Sequence, residues 1–192
     1  MRHTTPVVLA TALLLAGCGS GSGDANSVIT PAASVPTPST APTPAIRVSA
    51  DVFTDGAVIP EAYTCRGAGK RPEISWTGVP SGAASTALAV TDPDAPTGEF
   101  IHWLVLDLPP TSAGRITAGA VASPAKEEQN SAGAPGWKAP CPPKGSGTHH
   151  YHVTVFVLTG ATPSGDSKAI VAALRQQATA RGEVVGTVDS PS

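Results

Sequence analysis

Residues 87–110 read ALAVTDPDAPTGEFIHWLVLDLPP. Two apolar runs flank a polar stretch that holds Asp92, Asp94 and two prolines. Runs of this length, rich in Val, Ile and Leu and bounded by Pro, Asp and Gly, read as β-strands joined by a turn. The prolines of Asp92-Pro93-Asp94-Ala95-Pro96 fix φ and remove backbone donors, so the turn is stiff and its aspartates are pre-aimed. The second run opens on His102-Trp103, which sets a histidine near the aspartates at the facing ends of two strands.

Strand signals recur on both sides of this hairpin, at 47–52, 74–76, 149–158 and 183–187, beside 86–91 and 101–108 within it. One helix is expected, over 168–180, where Ile170, Val171, Leu174 and Ala178 share a face. Many strands, one helix near the C-terminus and no alternating βαβ pattern predict a mostly β chain built as an antiparallel sandwich. Strict alternation puts His102 on one face with Leu104, Leu106 and Leu108, and Trp103 on the other with Ile101 and Val105. In the later strand it groups His149 with Tyr151, Val153, Val155 and Val157, opposite His150 and His152. An aspartate near two imidazoles can hold them in one tautomer or raise their pKa, which makes a donor site for phosphate or carboxylate. An Asx turn at Asp92 with a satisfied core histidine at 102 explains the same two residues without a ligand.

The 192 residues carry a formal net charge of −2 with 14% charged side chains, which leaves no basic footprint for nucleic acid. Met1-Arg2-His3 followed by an apolar run to Ala16 is too short to span a bilayer and reads as a signal peptide over residues 1–17. Leu15-Ala16-Gly17-Cys18 resembles the bacterial lipobox, which implies lipidation of Cys18 and anchorage at the extracytoplasmic face of a bacterial membrane. An ordinary secretory signal cut nearby is the alternative. Residues 18–45 are Gly, Ser, Ala, Thr and Pro with almost no charge, the composition of a disordered tether. The folded domain is expected over 46–192. Export also favours a disulfide between the two remaining cysteines, Cys65 and Cys141, over two buried thiols.

Tyr63-Thr-Cys65, Ser75-Trp76-x-Gly78-Val79-Pro80, Asp92-Pro-Asp-Ala-Pro96, His102-Trp103, Asn130-x-x-Gly133, Pro140-Cys-Pro-Pro143 and Gly147-Thr-His149-His-Tyr151 succeed one another in this order. Together they resemble the phosphatidylethanolamine-binding protein family, in its bacterial Raf kinase inhibitor-like branch. The resemblance implies a β-sandwich with a small pocket for phosphate, phosphorylethanolamine or similar groups. It assigns ligand contact to Asp92, His102, His149 and Tyr151, places Pro142 in the neighbouring wall, and leaves Asp94 and Trp103 in supporting roles. His150 stands where the family usually has arginine, and Ala139 where bacterial members often have glycine.

No cofactor or metal is expected. Only His150 and His152 of the histidine cluster point the same way, with no nearby carboxylate or cysteine evident to complete a zinc site. A serine hydrolase is disfavoured, because Gly145-Ser146-Gly147 lacks the G-x-S-x-G elbow. The chain therefore reads as a non-enzymatic, membrane-anchored binder of a small anion or lipid headgroup. Inhibition of an exported protein partner, such as a protease or kinase ectodomain, is the competing reading.

Overall fold

A computed structural model describes residues 46–192. The expected signal peptide, Cys18 and the tether lie outside the described residues. The elements run β1 (Arg47–Ala50), a 3₁₀ turn (Glu61–Tyr63), β2 (Ile74–Thr77), β3 (Ser85–Asp92), β4 (Phe100–Leu108), β5 (Ala113–Ile116), β6 (Lys126–Glu127), β7 (Thr148–Leu158), α1 (Ser167–Gln177) and β8 (Ala180–Asp189). They form a three-stranded sheet, β1-β2-β5, and a five-stranded sheet, β6-β4-β3-β7-β8, with every strand pair antiparallel.

Alternation along the central strands gives the larger sheet two apolar faces. Leu88, Val90, Val153, Val155 and Val157 pack with Ile74, Trp76 and Ile116 in the layer between the sheets. Ala87, Ala89 and Phe156 point the other way, against Ile170, Val171 and Leu174 of α1. Each face of the large sheet thus acquires a cover, and the expected sandwich with one helix is the fold observed.

Strict alternation fails along β4. Val90 pairs with Trp103 but Thr91 pairs with Ile101, which makes His102 the extra residue of a β-bulge. A second irregularity lies where Thr86 pairs with Leu108 and Leu88 with Val105, beside Asp107 at φ 57°. Ile101 therefore joins Leu104 and Leu106 under α1, while Leu108 joins Trp103 and Val105 between the sheets. His102 leaves its expected companions Leu104 and Leu106 and stands against Tyr151, with ring centroids 5.1 Å apart.

The helix begins after Asp166, whose Oδ1 accepts from the Ala169 amide at 2.8 Å as an N-cap. It ends at Gln177 rather than at residue 180. Ala178 turns to extended backbone, the Thr179 amide donates to the Val157 carbonyl, and Ala180 is already paired with Val157 in the sheet. For the same reason β8 is twice its expected length, pairing with β7 from Val157 back to Thr148. The short strands β5 and β6 carry too little apolar sequence to be seen by pattern.

Candidate functional site

The bulge and the Asp92-Pro93 turn meet at one end of the large sheet. Asp92 closes β3, His102 stands in the bulge of β4, and His149 and Tyr151 share a face at the start of β7. Asp92, His102 and His149 line a cavity of about 330 Å³, walled by Ala95, Pro96, Phe100, Ala139 and Pro143. All three polar residues are buried: Asp92 is 3% exposed, His102 5% and His149 1%. A larger cleft beside α1, about 410 Å³, is lined by Arg181 together with Glu99, which pairs with Arg175, and His152, which lies 3.2 Å from Glu183.

Asp92 organises the group. Its Oδ2 accepts from His149 Nδ1 at 2.7 Å and its Oδ1 from the Asp94 amide at 2.9 Å, the Asx turn that the sequence suggests. His102 Nε2 lies 4.0 Å from Asp92 Oδ2, while its Nδ1 donates to the Lys138 carbonyl at 2.8 Å. Burial pushes the His102 imidazole below its ordinary value, opposed by that carbonyl and by the charge of Asp92. Tyr151 lies beneath the cavity rather than on its lining. Its Oη is buried without a hydrogen bond, and burial together with Asp92 raises the phenol well above its usual range.

The loop over 128–147 is held in place by residues whose motifs gave no role by themselves. Asn130 donates to the Gly136 carbonyl, accepts from the Ala132 amide, and is buried. Ser131 exchanges two hydrogen bonds with Ile101, and the Lys138 amide donates to the His102 carbonyl at 2.8 Å. The carbonyl that fixes the His102 tautomer is thus clamped to the strand that carries His102.

Several expected residues take other places. Pro142 does not line the pocket: it turns into a small cleft with Thr64, Cys65 and Val188, and Pro143 forms the wall instead. Consecutive residues of an extended segment face opposite ways, so a one-residue shift changes the cavity they serve. Asp94 is exposed and accepts from both the amide and Nδ1 of His150 at 2.8 Å, which holds its carboxyl below the usual range. Trp103 is fully buried between the sheets, donates to Glu127 Oε1 at 2.7 Å and lies under the Arg71 guanidinium. It supports the fold rather than the cavity. Ala139 lines the pocket. Cys65 and Cys141 form the expected disulfide, which joins the turn after Tyr63 to the pocket wall. His150 and His152 reach separate carboxylates, Asp94 and Glu183, and no group of three or more metal ligands gathers among the described residues.

Ser146 is the polar neighbour that the sequence did not reveal. Its Oγ lies 2.8 Å from His149 Nε2, giving the connectivity Ser146-His149-Asp92. The flanking glycines, at φ 75° and 86°, bend the loop back far enough for this contact. The hydroxyl is also 2.7 Å from the Pro143 carbonyl, and the amides of Gly145, Ser146 and Gly147 are engaged by Pro191, Pro143 and Ser190. None of those three amides is left to hold an oxyanion beside the serine.

Known proteins share this architecture. YbcL of Escherichia coli, described as a member of the mammalian PEBP family, superposes with a TM-score of 0.68 at 25% identity, over 77% of this chain and 98% of its own. A phosphatidylethanolamine-binding protein homologue from Chlamydia trachomatis gives 0.65 at 31% identity, over 75% and 97%. LppC of Mycobacterium tuberculosis, named as a lipoprotein, is 36% identical across 97% of both chains. The sequence profile described as Phosphatidylethanolamine-binding protein matches residues 49–189. That span contains both sheets except Arg47 and Val48 of β1, and every residue of the pocket, and the chain belongs to the phosphatidylethanolamine-binding protein family.

Proposed function

We propose that the protein is a lipid-anchored binding protein of the bacterial envelope, held at the extracytoplasmic face through Cys18, whose pocket takes a small phosphate-bearing or headgroup-like anion without transforming it. The observation that carries this reading is the convergence of Asp92, His102 and His149 in one cavity with walls of Pro96, Phe100 and Pro143. Few polar groups set in an apolar cleft is the usual make-up of a small-molecule site. The engaged amides around Ser146 favour binding over acyl transfer. Similarity to a protein named as a lipoprotein, over 97% of this chain, supports the anchor.

Calorimetric titration with phosphate, O-phosphoethanolamine and short-chain phosphatidylethanolamine tests the pocket. Saturable binding is expected for the wild type and its loss in His102→Ala. A folded wild type that saturates with none of them refutes the anion reading and turns attention to an exported protein partner. For the anchor, Cys18→Ser is expected to move the protein from the membrane fraction to the soluble fraction of the envelope. Continued membrane retention would contradict lipidation.

A further inference from the structure

The partners of the two histidines fix where the ring hydrogens lie, and their consequence for ligand choice rests on the proposed anion-binding role. A carbonyl can only accept, so His102 Nδ1 carries a hydrogen toward Lys138. Its Nε2, 4.0 Å from Asp92 Oδ2, is beyond hydrogen-bond reach, the separation of a bare lone pair facing a carboxylate. His149 Nδ1 donates to Asp92, and Ser146 Oγ spends its own hydrogen on the Pro143 carbonyl. His149 Nε2 is in turn taken up by Ser146 Oγ, so both of its ring nitrogens are engaged inside the protein.

An anion entering the cavity therefore meets a carboxylate and a lone pair where it needs donors. The titratable or charged groups around His102 are Asp92 at the end of β3, His149 and Tyr151 on β7, and Lys138 on the 128–147 loop. Lys138 is exposed and contributes to the cavity lining. Its charge and that of His149 both oppose protonation of His102.

We propose that the pocket takes its oxyanion together with one proton, shared between a ligand oxygen and His102 Nε2, and so selects phosphate monoesters over phosphodiesters and sulfate. An oxygen about 2.8 Å from Nε2 can share one hydrogen with it without closing on Asp92 Oδ2, which lies 4.0 Å from that nitrogen. A hydrogen on the line to His102 turns a clash of lone pairs into a hydrogen bond. A monoester has its second pKa near 6, so around neutral pH it carries that hydrogen or regains it readily. A diester or sulfate brings none and must charge His102, which its burial resists. Free monoesters and lipid headgroups share the phosphate, but the phospholipid headgroup is a diester and falls on the disfavoured side.

Titration calorimetry of the full-length protein in two buffers of different ionisation heat, at pH 6.5, 7.5 and 8.5, counts the protons. O-Phosphoethanolamine is the monoester probe, glycerophosphoethanolamine the matching diester, and sulfate the second proton-free anion. The expected result is uptake of close to one proton per monoester at pH 8.5, and affinity that weakens about tenfold from pH 7.5 to 8.5. The diester and sulfate are expected to bind at least about tenfold more weakly at pH 7.5, the size of a one-unit pKa difference. Nitrogen NMR of the imidazoles should show His102 Nε2 bare in the free protein and moving toward the protonated range with monoester bound. Monoester binding without proton uptake, equal binding of sulfate, or an Nε2 already protonated in the free protein at pH 7.5 overturns the inference and leaves the anion pocket standing. Failure of all three probes to bind brings down the anion reading itself.

Discussion

Asp92 is the residue on which the pocket turns, because its two oxygens serve His149 and the Asp94 amide while its charge faces His102. Asp92→Ala would leave the buried His149 without its acceptor, and losing one partner of a buried pair costs about 3 kcal/mol. Asp94 and His150 are exposed, so Asp94→Ala is expected to cost under about 1 kcal/mol. Urea unfolding of the two variants checks the order, and equal losses would contradict the buried pairing. His102 adds a pH dependence of known sign. Its native pKa is depressed, so its contribution is fully present above about pH 6.5 and is lost as pH falls from there toward the lowered native value. Acid titration of stability should therefore show a smaller loss near pH 6 in His102→Gln than in the wild type. Asp92, His102 and His149 were legible in sequence because a rigid DPDAP turn and two strand openings carry them. Ser146 was not, since its contact depends on two left-handed glycines. Nor was the side on which Pro142 falls, because alternation among consecutive prolines has no sequence marker.

The strands themselves were legible wherever an apolar run lay between turn residues, as in β3 and β7. What could not be read was the one-residue offset in β4, because a bulge leaves composition unchanged and alters only pairing. That offset aims His102 into the cavity, so the element-level surprise and the site-level result are one event. The end of α1 was hidden for a different reason: residues 178–180 suit a helix, but β7 offers them a strand partner. Close packing makes β5 testable. A Cβ at Gly114 would lie 2.2 Å from Cζ2 of Trp76, its partner across the strand pair. Gly114→Ala is expected to lower stability by about 1–3 kcal/mol, as overpacking does. A denaturant midpoint equal to the wild type's would show that the indole moves aside freely.

At the scale of the molecule, one cross-link among the described residues ties the turn after Tyr63 to the 128–147 loop, with Cα atoms 5.3 Å apart and a sequence separation of 76 between the cysteines. In the chain-entropy account a loop of this size contributes roughly 4 kcal/mol. Cys65→Ser with Cys141→Ser should therefore lower the thermal midpoint by on the order of 10 °C. An unchanged midpoint would mean that the unfolded chain gains little freedom when the bridge is lost. The sandwich also has an optical consequence. The protein has three tryptophans. Trp76 and Trp103 are buried between the sheets, Trp137 meets Trp103 edge to face, and none of them lines the pocket. Their emission should track the closing and opening of the two sheets, with Trp103 shielded by Arg71 above its ring and Glu127 at its nitrogen. To tryptophan emission the cavity is dark: a ligand fills it without touching an indole.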